Sequence, residues 1–269
     1  MNPAKVVIFS PNPYSLYTAT VGELLLQRGI GISAIFVRKF TWQRFRSEFS
    51  RDGRRLLKKI WTKLVLRERA YTDETVESIV TFRKAHQLTA KSVKDLRSRH
   101  DIPVFACVSL NDSLVEAKLR ELQPALVVFT GGGIVRPNIL SVAGHGVVNC
   151  HSGILPKYRG MDVVEWAVLH GDWDQVGCTA HFMDRGLDTG DLLRVHRVRP
   201  AAGDTIKRIR AKIEAVMPEV LVSAVADFLD GKIQRLPQNL DEGRQYFIMH
   251  QALQERTAAR LSSSSVAPF

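Results

Sequence analysis

Residues 5–37 read KVVIFSPNPYSLYTATVGELLLQRGIGISAIFV. Lys5–Ser10 is a short β-branched run that stops at Pro11-Asn12-Pro13. Residues 14–28 then carry apolar side chains at helical spacing up to Gly29, and residues 30–37 return to a β-branched run. Further strands are predicted over 76–82, 104–108, 125–130 and 146–150, separated by helical stretches such as 113–122. Strands alternating with helices predict an α/β fold with a doubly wound, mostly parallel, Rossmann-like sheet, whose ligands sit at the carboxyl ends of the strands. The loops after Thr130 and after Asn149 fall at that place.

Beyond Pro200 the pattern turns helical. Asp204 reads as a cap, Ile206, Ile209, Ile213 and Met217 share one face, and Pro218 is expected to break or restart the helix. A helix over 219–229 and a short strand over 232–236 follow. The expected organisation is a catalytic domain over 1–200 with a basic helical insert at 38–70, a helical C-terminal extension over 201–261, and a disordered tail over 262–269.

The chain has 269 residues, 45% hydrophobic and 24% charged, which suits a folded enzyme and excludes a collagen-like or wholly disordered chain. Its three cysteines, Cys107, Cys150 and Cys178, are odd in number and form no CxxC pair, so a reducing cytoplasm is expected rather than a disulfide scaffold. No apolar run reaches the roughly 20 residues of a membrane span, and residues 1–9 lack the features of a secretion signal.

The net charge of +11 is local. Between Arg38 and Arg69 lie twelve Lys and Arg against three acids. Leu56, Leu57, Ile60, Trp61, Leu64 and Val65 fall at helical spacing there, with Arg54, Arg55, Lys58, Lys59 and Lys63 around them. The simplest reading is a helix with a solvated basic face; an anionic acceptor and a membrane surface are the alternatives.

The chemistry concentrates in residues 147–193, VVNCHSGILPKYRGMDVVEWAVLHGDWDQVGCTAHFMDRGLDTGDLL. Asn149 and His151 are one residue apart at a strand end, so both side chains point to the same side. An imidazole can move a proton and a fixed amide N–H can stabilise an oxyanion, the minimum kit for acyl transfer. Asp188, in the Gly-Leu-Asp-Thr-Gly turn, is the natural third member to orient the histidine. His151 is expected at a solvent-facing strand end, and His170 and His181 are read as structural. No HExxH or paired metal-ligand motif is present, so no metal is expected. Gly131-Gly132-Gly133 follows a strand, but without a P-loop or GxGxxG pattern it gives little support for a nucleotide-binding enzyme.

Taken in order, Asn149-Cys150-His151-Ser152, Leu155-Pro156-Lys157-Tyr158-Arg159-Gly160, Gly171-Asp172, Gly177-Cys178-Thr179 and Gly186-Leu187-Asp188-Thr189-Gly190-Asp191 resemble the signature of the folate-dependent formyltransferases. That family includes the glycinamide ribonucleotide, methionyl-tRNA and nucleotide-sugar enzymes. The resemblance implies that Asn149, His151 and Asp188 form the catalytic triad and that 10-formyltetrahydrofolate is the formyl donor. It also implies that Gly133, Ile134 and Val135, with Asp184, Arg185, Gly186 and Leu187, read the pterin edge, and that Tyr158 and Arg159 contact the acceptor. The glycine run at 131–133 departs from the family's bulkier pattern.

The acceptor implied is a small-molecule primary amine, anionic in character, with an amino-sugar nucleotide first. An amino-acid-like amine, the amine of an aminoacyl-tRNA, and water (hydrolysis of 10-formyltetrahydrofolate) are the alternatives. A homodimer is allowed for.

Overall fold

A computed structural model of the chain describes residues 4–39 and 77–263. Seven strands form one sheet: β1 (Lys5–Ser10), β2 (Gly31–Arg38), β3 (Val104–Cys107), β4 (Leu126–Phe129), β5 (Val147–His151), β7 (Gly177–Met183) and β8 (Leu192–Arg197). Their spatial order is β3-β2-β1-β4-β5-β7-β8, with β3 to β5 parallel and β7 and β8 antiparallel. β6 (Tyr158–Gly160) pairs separately with β9 (Arg244–Tyr246). The helices are α1 (Leu16–Gln27), α2 (Ile79–Ala85), α3 (Val93–His100), α4 (Ser113–Leu122), α5 (Pro137–Leu140), α6 (Val163–His170), α7 (Ile206–Leu229) and α8 (Gln251–Ser263). None of the described helices is long and apolar enough to cross a membrane.

The strands are buried on both faces, as a parallel sheet requires. On one face Val6, Ile8, Ile35, Val128, Val148 and Cys150 pack with apolar residues of α1 and α7; on the other Val7, Phe9, Phe36, Val127 and Phe129 meet α4 and α5. The strand order reverses between β1 and β4, where open α/β sheets bind their ligands. That crevice is tied by a hydroxyl chain. Ser10 and Thr18 share a 2.9 Å hydrogen bond, Thr18 and Thr130 one of 2.8 Å, and the Thr130 hydroxyl donates to the Phe9 carbonyl at 2.7 Å.

Four sequence expectations fail, three of them for identifiable reasons. The strand over 76–82 is instead α2, because Ser78 and Thr81 form a reciprocal capping box that outweighs the β-branched run. Pro218 does not break the C-terminal helix. It removes one backbone bond, at about 3 kcal/mol, but Ile209 and Ile213 before it and Val220, Leu221 and Val225 after it are all buried, each contributing on the order of 2 kcal/mol. Thr205, not Asp204, caps α7, while buried Asp204 pairs with Lys212 at 2.7 Å. Of the strand over 232–236 only a bridge between Leu236 and Leu192 forms.

Of the basic insert only Arg38 and Lys39 fall among the described residues, as does the start of the 262–269 tail, where α8 ends at Ser263; the remainder of both expectations lies outside them.

α2 is fastened to α1 by a buried ion pair. Arg83 donates to Glu23 at 3.2 Å and to the Thr20 hydroxyl at 2.6 Å, while Glu23 also accepts from the Thr89 and Ala90 backbone N–H groups. Removing one partner of a buried pair strands the other charge, so Arg83→Ala should lower unfolding free energy by about 3–5 kcal/mol. Urea denaturation measures this, and a loss below about 1 kcal/mol would show the pair to behave like a surface salt bridge.

Candidate active site

β5 carries Asn149 and His151 on one side of the strand, and β7 runs antiparallel beside it with His181 directly opposite Asn149 and Thr179 opposite His151. The loop after β5 is pinned to β7 by Thr179, whose hydroxyl donates to the Gly153 carbonyl at 2.7 Å and accepts from the Leu155 N–H at 3.2 Å. After Met183 the chain leaves the sheet, and it re-enters with Leu192 opposite His181. The intervening loop brings Asp188 back over the strands.

The Asp188 carboxylate gathers the site. Its Oδ2 accepts from the Gly160 N–H at 3.0 Å and lies 3.5 Å from His151 Nδ1; its Oδ1 lies 3.7 Å from His181 Nε2. The structure therefore brings Asn149, His151 and Asp188 together, and adds His181. The other ring nitrogen of His151, Nε2, faces the Tyr158 carbonyl at 3.0 Å. Both nitrogens of His151 thus face acceptors, Asp188 at one and the Tyr158 carbonyl at the other.

Two expectations about histidines need correction. His151 is not solvent-facing but 8% exposed, because the loop to Tyr158 and the Asp188 turn close over it. His181 was read as structural from its place in the sequence, yet its Nε2 lies 3.4 Å from Asn149 Nδ2. Since His181 Nδ1 donates to the Phe182 carbonyl at 2.8 Å, Nε2 is left to accept from the Asn149 amide. Burial holds His181 neutral, pushing its pKa down to about 4 against the pull of Asp188. The signal that could have found it was the register of β5 against β7, which no local motif encodes.

Other predicted residues are distributed as follows. The 131–133 glycines all have positive φ, and a Cβ on Gly132 would come within 2.6 Å of Leu110, so bulk is excluded from that loop. Within the loop Ile134 is exposed and Val135 buried, and the Ile134 carbonyl accepts from Asn111 Nδ2 at 2.8 Å. Asp184 folds its own turn, accepting from the Gly186 N–H at 3.0 Å and the Thr189 hydroxyl at 2.7 Å, with Arg185 and Leu187 exposed. Tyr158 is buried, donating its hydroxyl to Asp172 at 2.5 Å and stacking on Tyr246; burial first, then Asp172, raises its phenol well above the ordinary range. Arg159 donates to the Leu240 and Gly243 carbonyls. Both side chains thus engage the C-terminal segment.

Beside Asn149 opens a cavity of about 470 Å³ at the β1/β4 crevice, lined by Pro11, Ser15, Thr130 and Gly131, and by Arg210, Glu214 and Met217 of α7. The Arg210 charge is matched by Asp162 at 3.2 Å and Glu165 at 2.7 Å. Water reaches Glu214 through the mouth, but enough protein surrounds it to raise its carboxyl pKa, with Arg210 opposing. The cavity also adjoins Tyr17, whose hydroxyl has no hydrogen-bond partner among the described residues.

A family model described as "Formyl transferase" matches residues 67–225, more than half of the chain. The chain belongs to the formyl transferase family. Among its relatives are the methionyl-tRNA formyltransferases of Myxococcus xanthus, 33% identical over 156 residues (58% of this chain, 50% of that protein), and of Pelotomaculum thermopropionicum, 34% identical over 151 residues (56% and 48%). The chain spans about half the length of the curated relatives it matches.

Solved structures extend the likeness of fold. The phosphoribosylglycinamide formyltransferase of Bacillus halodurans superposes with a TM-score of 0.55 at 20% identity, covering 84% of this chain and 95% of that one. An N-formyltransferase of Helicobacter canadensis, solved with folinic acid and dTDP-3-aminofucose, gives 0.60 at 13% identity, covering 96% and 80%. Asn149, His151 and Asp188 fall inside the matched segment; the C-terminal strand β9 falls outside it.

The neutral, buried His181 makes a pH prediction. Its pKa falls from an ordinary 6.5 to about 4 on folding, so its contribution is full above pH 6.5 and is lost as pH falls towards 4, amounting to about 3 kcal/mol. His181→Gln should flatten this part of the stability curve. Unfolding free energies measured every half pH step would show it, and an equal acid loss in the variant would exonerate His181.

Proposed function

We propose that the chain is a 10-formyltetrahydrofolate-dependent N-formyltransferase. The observation that carries this reading is the meeting of Asn149, His151 and Asp188 beside an open cavity, with His181 fixing the amide. The donor supplies an activated formyl group on its N10 nitrogen. A neutral amine attacks the formyl carbon, a C–N bond forms, and the carbonyl electrons collect on oxygen. One Asn149 N–H is held by His181 Nε2, which leaves the second to donate to that oxyanion. His151 adds a donor by turning its Nε2–H from the Tyr158 carbonyl to the oxyanion, while Asp188 balances the ring's charge. The bond from carbon to N10 then breaks, and the proton lost by the amine passes to N10 by way of Asp188 or an intervening water.

The donor's pterin is assigned to the two loops carrying Gly133, Ile134 and Val135 and Asp184, Arg185, Gly186 and Leu187, all of which except Val135 are exposed. Tyr158 and Arg159 are read as braces of the His151 loop rather than acceptor contacts, since their polar groups bond to Asp172 and to the C-terminal carbonyls.

For the acceptor we place an amino-sugar nucleotide first. The cavity wall offers a carboxylate, a guanidinium already balanced by acids, and hydroxyls, groups suited to the amine and hydroxyls of a sugar. The Helicobacter structural neighbour, crystallised with an amino-sugar nucleotide, supports this choice by fold. A methionyl-tRNA acceptor is the second reading, favoured by relatives such as those of Myxococcus and Pelotomaculum. Three buried free cysteines suit a reducing cytoplasm.

Incubation with 10-formyltetrahydrofolate and either a panel of amino-sugar nucleotides or methionyl-tRNA, following tetrahydrofolate release and acceptor mass, tests the proposal. One acceptor should gain a formyl group, and His151→Ala should lower turnover about 10²- to 10⁴-fold while the protein stays folded. Formyl loss to water alone would make the protein a hydrolase, and full turnover in the variant would remove His151 from the chemistry.

A further inference from the structure

Asp188 adopts a left-handed backbone conformation, φ +56°, which is sparsely populated by residues with a side chain although aspartate takes it more readily than most. Its carboxylate is held by Gly160, but the Gly160 N–H fixes only the tip. The backbone of the turn is held from elsewhere. Gln238, fifty residues further along the chain, donates through Nε2 to the Asp188 carbonyl at 3.1 Å and to the Gly190 carbonyl at 2.5 Å. Because both partners are carbonyls, the amide can sit only with its nitrogen towards the turn.

Gln238 Oε1, by contrast, is buried and has no partner among the described residues. An orphaned acceptor offsets much of what the two bonds contribute, so the arrangement is a poor device for stability. It is a good device for position, since one amide bridging two carbonyls across Thr189 fixes the left-handed turn that aims the carboxylate at His151.

We infer that Gln238 is a positioning residue for the Asp188 turn, supplied by a segment that lies beyond the family-matched residues 67–225. The segment reaches the site from a second direction as well. β9 pairs with β6 beside Gly160, and the Met161 N–H donates to the Tyr246 carbonyl at 3.0 Å. Gln238 acts on the backbone of Asp188 and β9 on the strand whose N–H grips its carboxylate, so both ends of the aspartate are set by residues 238–246.

The kinetic part of the test rests on the proposed formyl transfer; the spectroscopic part does not. Gln238→Met keeps the side-chain length and removes both donors, and Gln238→Glu at pH 8 turns a carboxylate towards two carbonyls. If Gln238 positions the turn, kcat should fall about 10- to 100-fold in the methionine variant and further in the glutamate variant, with KM for the acceptor unchanged. A residue that merely fills space would lose nothing in either variant.

In protein labelled with 15N-glycine, the Gly160 amide resonance, which reports the hydrogen bond to Asp188, should move in both variants. The Gly243 amide, bonded to the Leu240 carbonyl within the segment, should stay in place and show the segment intact. An unmoved Gly160 resonance together with unchanged kcat overturns the inference. Should the wild-type protein transfer no formyl group, the proposed function fails, and the Gly160 resonance alone then decides for or against Gln238.

Discussion

A single carboxylate sets the geometry of this site. Asp188 accepts from the Gly160 N–H and faces His151 through one oxygen, and its other oxygen lies 3.7 Å from His181 Nε2, whose lone pair is turned to Asn149, so β5, β6 and β7 are referred to one side chain. Its side chain is only 12% exposed, and a buried carboxylate must be satisfied or be neutralised. That requirement fixes neighbouring choices. Gly160 has φ +101°, and a Cβ there would meet the Tyr246 carbonyl at 2.2 Å, so only glycine lets β6 pass close enough to β9 and still turn its N–H to Asp188.

The two histidines beside that carboxylate are placed for different work. His181 is wholly buried, its Nδ1–H is committed to Phe182, and desolvation keeps it neutral. It therefore behaves as a lone-pair acceptor that orients Asn149. His151 faces one acceptor at each nitrogen, so the charge of Asp188 is left to support it. Two imidazoles sharing a carboxylate avoid competing because burial has already decided which of them cannot hold a second proton.

What the sequence discloses and what it withholds divide by range. The βαβ opening at 5–37, the Asn149-x-His151 spacing and the Gly-flanked Asp188 are each written in one continuous stretch of sequence, and local pattern suffices to read them. The strand expected over 76–82 fails although the signal is also local, because β-branched residues describe a preference that one capping box reverses. Pro218 is misread for the opposite reason: the burial that carries α7 through it comes from strands far away in sequence. His181 needs the register of β5 against β7, and Gln238 needs a contact across fifty residues, so neither leaves a mark that spacing could reveal. The exposure of His151 is misjudged for the same reason, since the residues that cover it come from beyond its own strand.

The separation of Asn149, His151 and Asp188 from the cavity wall follows from the same topology. Asn149 and His151 stand on a central strand and Asp188 on the loop beside it, whereas the cavity facing Asn149 takes Arg210, Glu214 and Met217 from α7 and Pro11 and Ser15 from the loop after β1. α7 packs on the sheet through Ile209, Ile213 and Val220, and Ile213 and Met217 serve both the core and the cavity wall, which leaves Glu214 as the exposed cavity-lining position of α7. The pairs of Arg210 with Asp162 and Glu165 join α7 to the start of α6, and Asp162 also accepts from the Met249 N–H. A substitution at Glu214 would therefore alter the cavity wall without touching Asn149, His151 or Asp188, while a change at Arg210 would reach through Asp162 to the C-terminal segment. That segment also holds the backbone of Asp188 through Gln238, which links the cavity wall at Arg210 to the turn that carries the carboxylate.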